Sequence, residues 1–236
     1  MNKDYQNKYF SLLGDSISTL EGYSVPEHAS YYDTTHRLAS GVILPSDTWW
    51  GQVIEQLGGK LLVNNSISGS TVCWHPLYEY PSYACSDERT SSLDANGISP
   101  DVIMVYMGTN DWGRGSALSY DERYVSVKEK NALFSWAYEA MLEKLKKNYP
   151  SAEIWCFTLS TSRCSQKESF VFPYRYSGRH IEEYCDAIRN CAKKYGCRVI
   201  DLYQQQVMYD TIDGFHPNAE GMKELFKAII EELQRA

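Results

Sequence analysis

Leu12-Leu13-Gly14-Asp15-Ser16-Ile17-Ser18, LLGDSIS in one-letter code, stops an apolar run on a glycine, an acid and a hydroxyl. Residues 9–13 read as a strand, so the break falls at its carboxyl end. Gly, Asp and Ser are ordinary turn residues. The same three residues can also hold a nucleophile at the edge of a sheet. Distant parts of the chain decide between the two.

On the carboxyl side of this stretch, short apolar runs alternate with helical patterns, and no repeat or linker divides the chain. Strands are expected over residues 61–64, 102–106, 153–158 and 198–201. Helices are expected over 48–57, 131–147, 178–195 and 218–233. Asp47 is the expected N-cap of the first helix and Gly58-Gly59 its stop. Leu133, Trp136, Ala137, Ala140 and Met141 fall at helical spacing in the second. Met222, Leu225, Phe226, Ile229, Ile230 and Leu233 form one stripe in the last. This alternation predicts one α/β domain over residues 1–236, a parallel sheet of about five strands with helices on both faces. Such sheets bind ligands beyond the carboxyl ends of their strands.

Four of those ends carry chemistry. Ser16 follows the first strand. Gly69, in SISGS, follows the second. Asn110, in GTND, follows the third. Asp213 and His216, in DGFHPN, follow the fifth one loop later. Ester hydrolysis by a protein nucleophile needs a hydroxyl, a base, a group that orients the base, and donors for an oxyanion. Ser16 offers the hydroxyl, His216 the base and Asp213, three residues away, the orienting carboxylate. Gly69 lets backbone approach a ligand closely, and Asn110 is a neutral amide donor. Pro217 suits the first position of the last helix, which places His216 at the helix's positive end. That disfavours an imidazolium, and the Asp213 carboxylate offsets it. Asp15 reads as support for the turn. The pattern G-x-S-x-G is absent around Ser16, and no GxxxxGK[ST] occurs, so neither a nucleophile elbow nor a phosphate-cradling loop is present.

In order and spacing these four blocks resemble those of the SGNH, or GDSL-type, hydrolases, and the resemblance runs from Tyr9 to the last helix. It implies a three-layer α/β/α flavodoxin-like fold, Ser16 as nucleophile, His216 as base and Asp213 as its orienting acid. It also implies an oxyanion hole of the Ser16 and Gly69 N–H groups and the Asn110 side chain. No cofactor and no metal are implied.

Composition narrows the partners. The chain has 236 residues and a net charge of −7, which argues against nucleic acid. No apolar run approaches the ~20 residues that span a bilayer, and no basic amphipathic helix favours a membrane surface. The seven cysteines form no CxxC pair, and Cys185, Cys191 and Cys197 do not share a helix face. With no secretory leader in MNKDYQNKYF, a cytoplasmic location with reduced thiols is expected. Tyr and Trp are frequent, at 19 and 6 residues, and many fall in loops. A long aromatic insert at about 71–99, with Trp74, Tyr78, Tyr80 and Tyr83, is expected to overhang Ser16. Trp49, Trp50 and Trp112 are further candidates to stack on a substrate. Flat aromatic faces suit sugar rings, so the expected substrate is a short acyl ester of a small molecule or carbohydrate. The alternatives are a thioesterase or lysophospholipase-type acyl hydrolase, or an idle relative that only binds ligands.

Overall fold

The computed structural model describes residues 4–75, 83–118 and 130–235. In chain order, β1 is Tyr9–Gly14, α1 Arg37–Ser40, α2 Trp49–Gln56, β2 Lys60–Ser66 and α3 Asp87–Ser91. β3 is Val102–Tyr106, α4 Thr109–Arg114, α5 Phe134–Asn148, β4 Glu153–Phe157, β5 Thr161–Arg163, β6 Arg175–Tyr176 and β7 Arg179–His180. α6 is Ile181–Lys194, β8 Arg198–Ile200, β9 Met208–Asp210 and α7 Ala219–Arg235.

Five strands form one all-parallel sheet in the order β2-β1-β3-β4-β8. Counted among themselves, that order is 2-1-3-4-5, the flavodoxin-like doubly wound arrangement. All five residues of β3 are buried, as expected where helices cover both faces. Period-two geometry then sorts the side chains. Phe10, Leu12, Val102, Met104 and Tyr106 join α2 and α7 in one core cluster. Leu13, Ile103 and Val105 join α5 and α6 in the other. Each such fully buried aliphatic or aromatic side chain stabilises the fold by about 1.5–3 kcal/mol.

Local chemistry differs from the sequence reading at four helix starts, the first being α5, which begins at Phe134 after Leu133, three residues later than the periodicity placed it. α2 is capped by Thr48, whose hydroxyl accepts from the Gly51 N–H, and not by Asp47. The Asp47 carboxylate turns back to accept the N–H groups of Ile43 and Leu44. Residues 178–180 belong to the β6–β7 hairpin, closed by a two-residue turn, so α6 begins three residues later than the periodicity placed it. His180 and Glu183 then cap α6 reciprocally. Pro217 is not the first residue of α7. It pairs with Thr211 in an isolated bridge, and the Asn218 side chain accepts from Gly221 N–H at the helix start. His216 therefore stands clear of the helix terminus. Among the described residues no helix is long and apolar enough to cross a membrane.

Candidate active site

β1 ends against its neighbours so tightly that only glycine fits: a Cβ on Gly14 would lie 2.6 Å from Ser66 Oγ and 2.7 Å from Ser18 Cβ. The chain then makes a single 3₁₀ turn over Ser16–Ser18, which Asp15 caps by accepting the Ile17 N–H at 3.0 Å. This turn raises Ser16 off the carboxyl edge of the sheet.

His216 arrives on a loop made rigid by its own acid. Asp213 Oδ1 accepts the N–H groups of Phe215 and His216 at 2.9 and 2.8 Å. The His216 carbonyl in turn accepts the Ile212 N–H at 3.1 Å. The imidazole is left facing two ways. Its Nδ1 lies 2.6 Å from Asp213 Oδ2 and its Nε2 lies 2.9 Å from Ser16 Oγ. Burial pushes the Asp213 carboxyl up, but the hydrogen bond to His216, its charge and the two backbone N–H groups outweigh this. The result is well below the usual carboxylate range. The ionised acid therefore fixes Nδ1 as the donor nitrogen and leaves Nε2 as an acceptor for the Ser16 hydroxyl proton.

Opposite the hydroxyl, α4 holds the loop after β2 by three successive contacts. Arg114 Nη2 donates to the Gly69 carbonyl at 2.9 Å, and Asn110 Nδ2 to the Ser70 carbonyl at 2.9 Å. The buried Asp111 carboxylate accepts the N–H groups of Val72 and Cys73 at 2.8 and 3.0 Å. Gly69 adopts φ of +77°, which turns its peptide as a side-chain-bearing residue rarely could. Among the described residues no hydrogen bond occupies the N–H of Ser16 or of Gly69. Asn110 uses one of its two amide hydrogens on Ser70, leaving the second. A cleft of about 280 Å³ opens here, lined by Ser16, Asn110, Arg114, Tyr176, Phe215 and His216 among others.

This chain matches the GDSL-like Lipase/Acylhydrolase family over residues 8–172. It is a member of that family. Acyl-ester hydrolysis is the activity the family carries. Two solved proteins classed as GDSL-like lipases are similar over nearly the whole length. One, from Bacteroides ovatus, is 27% identical with a TM-score of 0.74, covering 98% of this chain and 100% of that one. Another, from Bacteroides uniformis, is 29% identical with a TM-score of 0.73, covering 98% and 97%. An inhibitor-bound aryl esterase of M. smegmatis shares the fold at 13% identity, with a TM-score of 0.59 and coverage of 97% and 99%. No curated protein matches the chain at a significant level.

Thus the fold brings Ser16, Asn110 and His216 of this acylhydrolase into one cleft with Asp213 behind His216, while Gly69 is held next to it through Arg114 and is not among the described cleft-lining residues. The candidate tryptophans fare differently. Trp49 and Trp50 are 0% and 1% exposed: they form the first turn of α2, which packs onto the sheet against Tyr106 and Phe157. Trp50 Nε1 donates to the Ser18 carbonyl, so it supports the Ser16 turn from beneath. Trp112 is also buried and backs the cleft wall, with its ring 5.7 Å from Tyr176 and 6.4 Å from Phe215. None of the three presents a face to a ligand. Trp74 is half-buried, its N–H donating to the Asn131 carbonyl, and it is not among the described cleft-lining residues. Tyr83 packs on the core. Tyr78 and Tyr80 lie outside the described residues.

Two contributors to the acylhydrolase site carry no local sequence signal. Arg89, buried on α3, donates to the Gly14 and Asn65 carbonyls, to Asn65 Oδ1 and to Ser70 Oγ. One guanidinium thus ties the ends of β1 and β2 to the Gly69 loop. Burial pushes Arg89 down to about 9, against the attraction of Asp15. Burial likewise pushes Asp15 up to about 7 and Asp111 up to about 6.

The second is Tyr31. Its hydroxyl donates to Asp213 Oδ2 at 2.9 Å, the same oxygen that meets His216 Nδ1. Its ring stacks on the His216 imidazole at 3.5 Å and 10°, and on His36 at 4.4 Å and 20°. Two rings parallel to Tyr31 at such short range would overlap if they shared a face, so the histidines flank it on opposite sides. Tyr31 clamps both members of the acid–base pair without lining the cleft. Tyr31→Phe keeps the stack and removes one donor to a charged acceptor, so kcat on p-nitrophenyl acetate should fall about tenfold with KM unchanged. Tyr31→Ala should lose roughly tenfold more. Steady-state kinetics on both variants checks this, and a KM rise with kcat intact would place Tyr31 in substrate binding instead.

Proposed function

We propose that this acylhydrolase is a serine esterase that removes short acyl groups, acetyl above all, from carbohydrates through an acyl-enzyme intermediate. Ser16 Oγ attacks the ester carbonyl carbon as its proton passes to His216 Nε2. Asp213 stabilises the imidazolium so formed. The carbonyl oxygen, now anionic, takes hydrogen bonds from the Ser16 and Gly69 N–H groups and the free amide hydrogen of Asn110. Collapse expels the alcohol, which receives the proton from Nε2, and leaves the acyl group on Ser16 Oγ. Water repeats the sequence: His216 takes its proton, the hydroxide attacks, and Ser16 leaves with the proton returned. The 2.9 Å and 2.6 Å relay from Ser16 through His216 to Asp213 is the observation that carries this reading.

Two features support the substrate class. The cleft, about 280 Å³, is at the small end of ligand pockets, which favours a short acyl group over a fatty chain. Its wall is aromatic: Tyr176 is 42% exposed and stands edge-on to Phe215 at 6.2 Å. Such rings suit the C–H faces of a sugar. Rates on p-nitrophenyl esters should fall steadily from acetyl to octanoyl, and acetate should be released from O-acetylated saccharides. Equal rates across the ester series, or faster turnover of acyl-CoA than of oxygen esters, would replace this reading with a long-chain lipase or a thioesterase.

A further inference from the structure

A second opening, a groove of about 740 Å³, lies away from the triad on the same rim of the sheet. Its walls are Tyr174 from the segment before β6, Tyr203, Gln204 and Gln206 from the loop after β8, and Glu182 and Arg189 from α6. It stands over the carboxyl ends of β4 and β8, whereas Ser16 stands over that of β1. In the order β1-β3-β4-β8 the two are two to three strand spacings apart, roughly 10–14 Å.

An aromatic ridge joins them. From the cleft it runs Phe215 to Tyr176 (6.2 Å), Tyr176 to Trp112 (5.7 Å), Trp112 to Phe172 (5.4 Å) and Phe172 to Tyr174 (5.4 Å). Tyr174 ends it, stacked on His180 at 5.9 Å and 44% exposed. The linking rings Trp112 and Phe172 are buried, so the series runs beneath the surface and comes to it at Tyr176 beside Phe215 in the cleft and at Tyr174 in the groove.

The lining selects a ligand class. Arg189 is neutralised by Asp201 at 2.7 Å and by Asp186 at 2.6 Å, and Glu182 adds negative charge beside it, so the groove offers little to an anion. Met208 is an exposed apolar residue of the lining, but amides, ionic groups and the Thr161 hydroxyl interrupt it, so the groove is not the continuous apolar channel that a lipid chain needs. A neutral molecule with ring faces and many hydroxyls matches all of it, because amide, guanidinium and carboxylate edges each bond hydroxyl groups while tyrosine faces stack on the rings. We infer that this groove binds the glycan portion of the substrate, several sugar units away from the ester that lies at Ser16. The inference rests on the carbohydrate-ester reading above and extends it to an oligomeric rather than a monomeric substrate.

The test uses O-acetylated xylan, mannan and N-acetylglucosamine oligomers of one to six units, with p-nitrophenyl acetate as reference. Two variants are compared with the parent: Tyr203→Ala, and Gln206→Gly. The second is chosen because Gln206 holds φ of +57°, a backbone conformation glycine adopts without strain, so it removes the amide without threatening the fold. In the parent, kcat/KM on at least one oligomer series should rise with chain length, by about tenfold for a contact worth roughly 1.4 kcal/mol. Each variant should flatten that rise through KM and leave p-nitrophenyl acetate turnover as in the parent. A length dependence that survives both variants, or a parent that cleaves acetylated monomers and hexamers alike, overturns the groove assignment alone. A parent that turns over p-nitrophenyl acetate but no acetylated saccharide overturns the carbohydrate reading itself, and this inference with it.

Discussion

Ser16→Ala should lower kcat on p-nitrophenyl acetate by about 10⁶, to the level left by binding and the oxyanion donors alone. The size follows from the geometry. Ser16 is the one hydroxyl within hydrogen-bond distance of His216 Nε2 among the described residues, and no neighbouring group can take its place. Removing His216 should cost nearly as much, and the double variant should be little worse than either single one. A nucleophile without its base and a base without its nucleophile are equally idle. Circular dichroism and thermal melting should be close to those of the parent, since among the described residues Ser16 Oγ bonds only to the His216 imidazole. Additive losses in the double variant would mean that the two residues act independently.

Asp213→Asn should lower kcat by about 10⁴. Its Oδ1 can still take the N–H groups of Phe215 and His216 as an amide oxygen, so the loop keeps its shape. The other position becomes a donor. It can no longer accept from His216 Nδ1 or from the Tyr31 hydroxyl. The imidazole then turns its acceptor nitrogen toward residue 213 and presents a proton to Ser16, the wrong tautomer for a base. Asp15→Asn is the matched control. Asp15 is buried, caps the Ser16 turn through Ile17 N–H and touches neither Ser16 Oγ nor His216, so its loss should cost no more than about tenfold through the turn. Comparing kcat for the two variants separates the roles, and a larger loss at Asp15 would move the orienting acid there.

The fold was legible because both faces of the sheet are covered. β3 is five consecutive buried apolar residues, a run that amphipathic helices cannot imitate, and the strand ends then fall where the chemistry is. Ser16, Gly69 and Asn110 stood out for the same reason, each within a few residues of a strand end of the main sheet, whereas Asp213 and His216 follow β9, a short strand of a separate two-stranded sheet that the sequence reading did not include. What was hidden depends on contacts remote in sequence. Tyr31 meets an acid 182 residues away, and Arg89 reaches the Gly14 carbonyl 75 residues away. Neither has a local pattern that marks it. Trp49 and Trp50 misled in the opposite sense. Two adjacent tryptophans after a turn resemble a binding surface, but a helix start that packs on a sheet buries them equally well, and composition does not distinguish the two. Helical spacing takes in residues 178–180, the second half of the β6–β7 hairpin, and no pattern marks the two-residue β6 that sets Tyr176 in the cleft.

The proposed mechanism stands or falls on Ser16 as the nucleophile. A serine-reactive fluorophosphonate, followed by peptide mapping in a mass spectrometer, tests it most directly. One label per chain is expected, on the peptide containing Ser16, with esterase activity lost in step with labelling. A label on any other residue with Ser16 unmodified, or full activity in chains whose Ser16 is labelled, would contradict it.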